Sequence, residues 1–293
     1  MTRWQKLRFD PLTRYAALTV PGALFVTLFL LIPMVSIVIF SFWRTESYEL
    51  IPDWNLDNYT TVLGNWVYLK FLLRSFVIAT AVSVVSLVYA WPCAYLIAKH
   101  GGRYRLILVL LTAAPFLTGI ILRVTAMQQI LGPIGLINMT LSTFNLTPIE
   151  AINYTQVASG IGLIYLWIPF MLLAIYLSLL NFNFELLEVA KVCGAKPWRA
   201  FLEVTWPLNW MGTVIGIILV FIPTFAATVT PRFLGGTNGT MFANRLEHQF
   251  GATGTWALGS AMGVILFLTS LGVIALAWRT VNLRRAGFTG AGD

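Results

Sequence analysis

Charge is scarce in this chain. Asp, Glu, Lys and Arg make up 10% of its 293 residues, against about 25% in an ordinary soluble domain, which excludes a conventional soluble enzyme. There are two histidines and 11 acidic residues, leaving little material for acid–base or metal chemistry. The two cysteines, Cys93 inside an apolar block and Cys193 in a charged connector, cannot build a disulfide framework and show no metal-ligand spacing. Both are expected to be reduced and structural. A phosphate-binding loop is also missing: Gly235-Gly236-Thr237-Asn238-Gly239-Thr240 has no lysine, so the chain is not expected to hydrolyse ATP. Hydrophobic residues make up 58% of the chain. The net charge of +8 does not point to nucleic acid, because the basic residues sit between long apolar blocks and form no solvated face.

Stretches free of charged residues and histidine run Tyr15 to Trp43, Ser75 to Ala98, Leu106 to Leu122, Ala151 to Phe184, Val204 to Pro231 and Gln249 to Trp278. A helix needs about 20 apolar residues to cross a bilayer, so each block holds about one crossing. The third is long enough if Arg123 reaches the interface, since apolar sequence resumes at Val124. Backbone satisfaction in lipid allows helices or closed barrels, and runs without two-residue alternation favour helices. The expectation is an all-α membrane protein with six transmembrane helices in a single domain, 1–293. The first block, preceded by Arg3, Lys6, Arg8 and Arg14, is expected to stay as an anchor, because its 29 residues exceed the apolar core of a signal peptide.

Basic residues near the span ends set orientation. Thirteen of the 19 lie on alternate segments: the N-terminus, Lys99 to Arg105, Lys191 to Arg199, and Arg279 to Arg285. Both termini are therefore expected on the cytoplasmic side. The opposite face would carry an exposed loop with Glu46, Glu49, Asp53 and Asp57, and a short helix through Leu56-Asp57-Asn58-Tyr59. Pro33, Pro92, Pro115, Pro169 and Pro223 fall in or near spans, where each removes a backbone donor and can bend the helix. Gly212-x-x-x-Gly216 and Gly259-x-x-x-Gly263 permit close helix contact.

The segment between the fourth and fifth blocks, 181–207, carries its own pattern. Phe184 to Val192 is strong helix-forming sequence, with Asn183 available as a cap and Glu185 near the positive end. Gly194 can stop that helix in a left-handed conformation, and Pro197 suits the first turn of a second short helix. The second helix sets Trp198, Phe201 and Leu202 beside Arg199 and Glu203. It reads either as an interfacial helix on headgroups or as a docking element for a soluble partner.

Glu188-Val189-Ala190, three residues, Gly194, nine residues, then Val204-Thr205-Trp206-Pro207 resembles the EAA loop of bacterial ABC-importer permeases. Leu56-Asp57-Asn58-Tyr59, Trp91-Pro92-x-Ala94-Tyr95, Gly135-Leu136-Ile137-Asn138, Trp167-Ile168-Pro169-Phe170-Met171, Phe221-Ile222-Pro223, Val229-Thr230-Pro231 and Leu234-Gly235-Gly236 are similar to the spermidine/putrescine (polyamine/opine/phosphonate) type within that family. The resemblance implies the MetI-like type I ABC importer permease fold in the bacterial inner membrane. It also implies two ATPase subunits that hold ATP and Mg, a second permease subunit and a periplasmic solute-binding protein. It casts Glu188, Ala190, Gly194, Ala195, Phe201 and Pro207 as coupling residues, with no catalytic residue, metal or cofactor in this chain.

Arg123 and Arg232, with Phe225 and Thr228, are expected to lie on the solute pathway. Members of the group often place Glu where this chain has Ala227 and Arg232, which shades the solute toward an anionic or zwitterionic relative of the polyamines. The outer segments Asp53 to Tyr59 and Phe233 to Phe250 are expected to meet the binding protein. An intramembrane hydrolase or lipid-modifying enzyme fits poorly, because His100 and His248 fall in opposite compartments and no carboxylate pair lies within a span. A secondary transporter would normally couple through intramembrane acids or repeats, and no carboxylate lies centrally in any block.

Overall fold

The computed structural model describes residues 11–144, 146–147 and 152–289. Arg3, Lys6 and Arg8, and Ala151 at the start of the fourth block, lie outside them. The chain divides into two compact units, Met1–Asn65 with His248–Ile265, and Trp66–Glu247 with Leu266–Asp293.

In the first unit, α1 (Pro11–Val26) passes through a π turn (Thr27–Leu31) into α2 (Ile32–Phe40), which has Pro33 in its first turn. The wider turn suits a proline that cannot donate back to the preceding turn. An antiparallel hairpin, β1 (Arg44–Glu46) and β2 (Glu49–Ile51), pairs Thr45 with Leu50. Its two-residue turn holds Ser47 and Tyr48 at φ 50 and 67, left-handed values that normally call for Asn-Gly. The hairpin stands where the sequence reads only as a loop. The Tyr48 ring fills the space where Gly254, at φ +64, would carry a Cβ. The short helix expected after it is present as α3 (Asp57–Gly64). Asn55 accepts the Asp57 N–H at 3.0 Å and Asn58 donates to the Trp43 carbonyl at 2.7 Å.

The second unit is built on three helices. α4 (Trp66–His100) is 35 residues long, about 52 Å at 1.5 Å per residue. Next come α5 (Arg105–Ala113), α6 (Ile120–Ile130) and α7 (Leu136–Thr143), then α8 (Gln156–Leu180). α9 (Glu185–Val192), α10 (Pro197–Ala200), a π turn (Phe201–Thr205) and α11 (Trp206–Leu208) lead into α12 (Trp210–Phe225). α4, α8 and α12 pack on one another around Trp91, Leu163, Met171, Ile175, Leu179 and Val220. A Cβ at Gly212 would strike Ser178, and one at Gly216 would come 2.6 Å from the Met171 sulfur. The small residues of α12 therefore let it lie directly on α8. α13 (Phe242–Gly251) and α14 (Trp256–Thr289) complete the chain.

Among the described residues, four stretches are long and apolar enough to cross a membrane: Thr19–Phe40, Trp66–His100, Gln156–Leu180 and Trp256–Val281. Two bent pairs raise the number to six if each is one crossing. The third block is not one straight helix. Gly102–Leu117 and Ile120–Ile130 meet at 93°, because Pro115 opens a 3₁₀ turn and Thr118 and Gly119 are extended at ψ 150 and 148. The fifth block bends by 72° between Pro197–Leu208 and Trp210–Phe225, behind Pro207, whose missing N–H interrupts the helical ladder. Pro92 and Pro169 sit inside unbroken helices. Cys93 and Cys193 are free, as expected of reduced cysteines, and both are exposed.

Candidate functional site

The connector begins where Asn183 Oδ1 accepts the Glu185 N–H at 2.9 Å. On α9, Lys191 donates to Glu188 Oε1 at 2.8 Å. That bond, then the Lys191 charge and more distantly Lys99, hold the exposed Glu188 carboxyl below the usual carboxylate range. The helix closes with two bonds: Ala195 N–H reaches the Ala190 carbonyl at 2.9 Å and Gly194 N–H reaches that of Lys191 at 2.8 Å. With Gly194 at φ +82 this is a Schellman closure. It explains why a glycine stands at 194, flanked in the motif by small residues at 190 and 195. Pro197 opens α10 as expected, and Glu203 keeps the Arg199 guanidinium firmly charged through a 2.7 Å bond.

Aromatic side chains fix this connector to the end of α4. Trp91 meets the edge of Phe201 at 4.9 Å, stacks on Trp206 at 5.5 Å and donates its indole N–H to Thr213 Oγ1 at 3.1 Å. Tyr95 packs on Phe184, which packs on Phe182. Leu187 and Ala200 are buried beneath the turn. The outward side is mixed: Val189, Val192, Trp198 and Leu202 are exposed, Val192 at 89% and Trp198 at 70%, beside the exposed Glu188–Lys191 and Arg199–Glu203 pairs. The structure thus brings together Ala190, Gly194, Ala195 and Phe201, with Glu188 on the exposed side and Pro207 at the bend into α12. Trp91, Tyr95, Phe182 and Phe184 are the supports that reading for motifs passes over. The signal was the i, i+4 aromatic pair at the charged end of the second block.

Of the four residues expected on a solute pathway, Arg232 and Thr228 are joined, the Arg232 N–H donating to the Thr228 carbonyl at 3.2 Å, and the helix that carries Arg123 packs on the turn Pro231–Gly235 that carries Arg232. Phe225 is fully buried, stacked on Phe221 at 5.7 Å and edge-on to Phe76 at 6.4 Å. It is a core residue. Thr228 contributes its carbonyl, which accepts from Asn244 at 2.8 Å. Arg232, standing where related members often place Glu, is paired with Glu247 at 3.1 Å, an acid that the linear motif could not place beside it. Arg123 has no acidic partner among the described residues, and its Cζ lies 4.6 Å over the Phe116 ring.

In the segment 233–250, Leu234, Met241 and Phe242 are buried rather than offered to a partner. Arg74 donates to the carbonyls of Asn238 and Thr240 at 3.0 and 3.4 Å, and Ser75 Oγ accepts the Phe242 N–H at 2.8 Å. Tyr59 is tied to Ser41 at 2.7 Å. Trp54 and Tyr48 are exposed. Among the described residues, no three His, Cys, Asp or Glu side chains form a group that could hold a metal.

No protein-family model matches the chain. The spermidine/putrescine transport system permease protein PotB of Haemophilus influenzae is 29% identical over 259 residues, 87% of this chain and 90% of that one. A bacterial ABC transporter involved in import of the acidic polysaccharide alginate has a chain that superposes with a TM-score of 0.69 at 16% identity, covering 97% of this chain and 98% of that one. The bacterial alginate ABC transporter in complex with an alginate pentasaccharide-bound periplasmic protein gives 0.66 at 17%, covering 94% and 95%.

Proposed function

We infer that this chain is a transmembrane permease subunit of a binding-protein-dependent ABC importer, forming half of the pathway for polyamine-like or related small charged solutes. The observation that carries the reading is the connector: helix, left-handed glycine closure and second helix, keyed to α4 by Trp91 and presenting exposed apolar side chains beside two exposed ion pairs. An amphipathic element of this kind suits insertion into a groove on a soluble partner. Similarity along most of the length to PotB, and the likeness of fold to the alginate importer chains, support the same reading.

In this reading the chain is one permease domain of six crossings in a bacterial inner membrane, with both termini cytoplasmic. It is not an enzyme. Two ATPase subunits bind ATP and Mg, a second permease completes the pathway, and a periplasmic protein delivers the solute to the opposite face. Glu188, Ala190, Gly194, Ala195, Phe201 and Pro207 form the lever that the ATPase pair moves. Because Trp91 grips Phe201, Trp206 and Thr213 together, a pull on the connector is transmitted to α4 and α12 at once.

The test is co-purification of untagged partners with this chain, followed by uptake in vesicles whose ion gradients have been collapsed. Retention of ATPase subunits and uptake that needs ATP are expected. Uptake that follows an ion gradient and ignores ATP would make the chain a secondary transporter instead.

A further inference from the structure

The break between α5 and α6 leaves donors without acceptors. Nε and Nη1 of Arg123 and Nε1 of Trp167 are buried with no hydrogen-bond partner among the described residues. They are joined through rings: Arg123 lies over Phe116, Phe116 meets the edge of Phe170 at 4.6 Å, and Phe170 lies 5.5 Å from Trp167. Every unmatched atom in this set is an N–H donor and none is an acceptor. The residue before α6 is Gly119, which caps nothing with a side chain, so the positive end of that half-helix opens at the same break. Arg123 stands in its first turn.

We propose that Arg123, with the Phe116, Phe170 and Trp167 rings, receives a carboxylate group of the transported solute. The inference rests on the permease reading and narrows its solute to one that bears at least one carboxylate. A partly buried guanidinium with two unpartnered, buried nitrogens gains charge-assisted bonds from an oxyanion and nothing from an amine. The face of Phe116, where an ammonium would otherwise settle, is already covered by the chain's own cation. Broken helices within membranes direct their half-helix N-termini at anionic groups of a substrate. Room is available beside the cluster: Phe170 also lines an open groove of about 720 Å³ between α8 and α12 that reaches Asn183 and contains the Ser178–Asn209 hydrogen bond.

Ornithine and putrescine form a matched pair of probes, sharing one diamine chain and differing by a carboxylate. The complex of this chain with its co-purified partners is placed in phosphatidylcholine nanodiscs, and equilibrium binding of each labelled compound is measured. Ornithine is expected to bind at least about tenfold more tightly than putrescine, and Arg123→Gln to remove about that factor for ornithine alone. Arg123→Lys should retain most of it. Equal or tighter binding of putrescine, no binding of ornithine, or ornithine binding unchanged by Arg123→Gln would each overturn the proposal. So would an Arg123→Gln effect that appears only when phosphatidylglycerol is present, since the arginine would then hold a lipid headgroup. The wild-type comparison does not depend on the folding of a variant. Failure of ATPase subunits to co-purify counts against the permease reading, whereas a normal assembly without ornithine preference counts against this inference alone.

Discussion

Trp91 donates its indole N–H to Thr213 Oγ1 across 3.1 Å in a fully buried setting. Since the same ring meets Phe201 and stacks on Trp206, one side chain links the end of α4, the connector and the start of α12. Trp91→Phe keeps much of the ring contact and deletes the donor. It is expected to lower stability in detergent by about 1–3 kcal/mol and to reduce solute-stimulated ATPase activity in the assembled complex. A variant with unchanged melting and unchanged stimulation would show that the link is ornamental.

Gly212 and Gly216 test the packing directly. A side chain at Gly212 meets Ser178 and the Ala174 carbonyl, and one at Gly216 meets Met171. Gly212→Leu should force α12 away from α8, costing about 1–3 kcal/mol or more, seen as a lower melting temperature and poorer recovery from the membrane. Gly22→Leu, with nothing within 4 Å, is the matched control and should change little.

Much of this architecture was legible in the sequence because its signals are local. Charge-free blocks located α2, α4, α8 and α14, and Gly194 with Pro197 announced the turn between α9 and α10, where backbone geometry dictates the residue type. The bends in the third and fifth blocks were less legible. A proline marks a missing donor without saying whether the helix bends or continues: Pro92 and Pro169 are absorbed while Pro115 stands at a break. The partner of Arg232 lies 15 residues away on another helix, and the burial of Phe225 depends on Phe76, from a distant part of the chain. Such pairings belong to the packing of helices, which composition and spacing do not encode.

The Glu188 carboxyl offers a pH measurement. Its hydrogen bond from Lys191, and then the Lys191 charge, favour the ionised form. With the folded value depressed, the contribution is complete above the ordinary carboxylate range and is lost as pH falls through the lowered value. Carboxyl carbon NMR of the labelled protein should give a Glu188 midpoint below that of an unpaired glutamate. Lys191→Met should move it up toward the ordinary range. An unchanged midpoint in Lys191→Met would mean that the pair does not persist in solution.

The last prediction separates backbone geometry from contact at Gly194. The residue sits at φ +82 with nothing within 4 Å of a Cβ position, so a side chain there meets no neighbour and its cost is conformational. A left-handed conformation costs an ordinary residue roughly 1–2 kcal/mol, less for Asn and more for a β-branched side chain. The series Gly194→Asn, Gly194→Ala and Gly194→Val should therefore lose attachment of the ATPase subunits in that order, with the chain still inserted. A docking surface that needs a bare glycine for close approach would instead penalise Asn at least as heavily as Ala. Glu188→Lys belongs beside this series: it places two cations at i, i+3 in place of the present pair, while an exposed substitution alone costs within about 0.5 kcal/mol. Loss of solute-stimulated ATPase activity with normal insertion would place Glu188 in the contact with the ATPase. Full stimulated activity in both Gly194→Val and Glu188→Lys would remove the connector from the coupling route altogether.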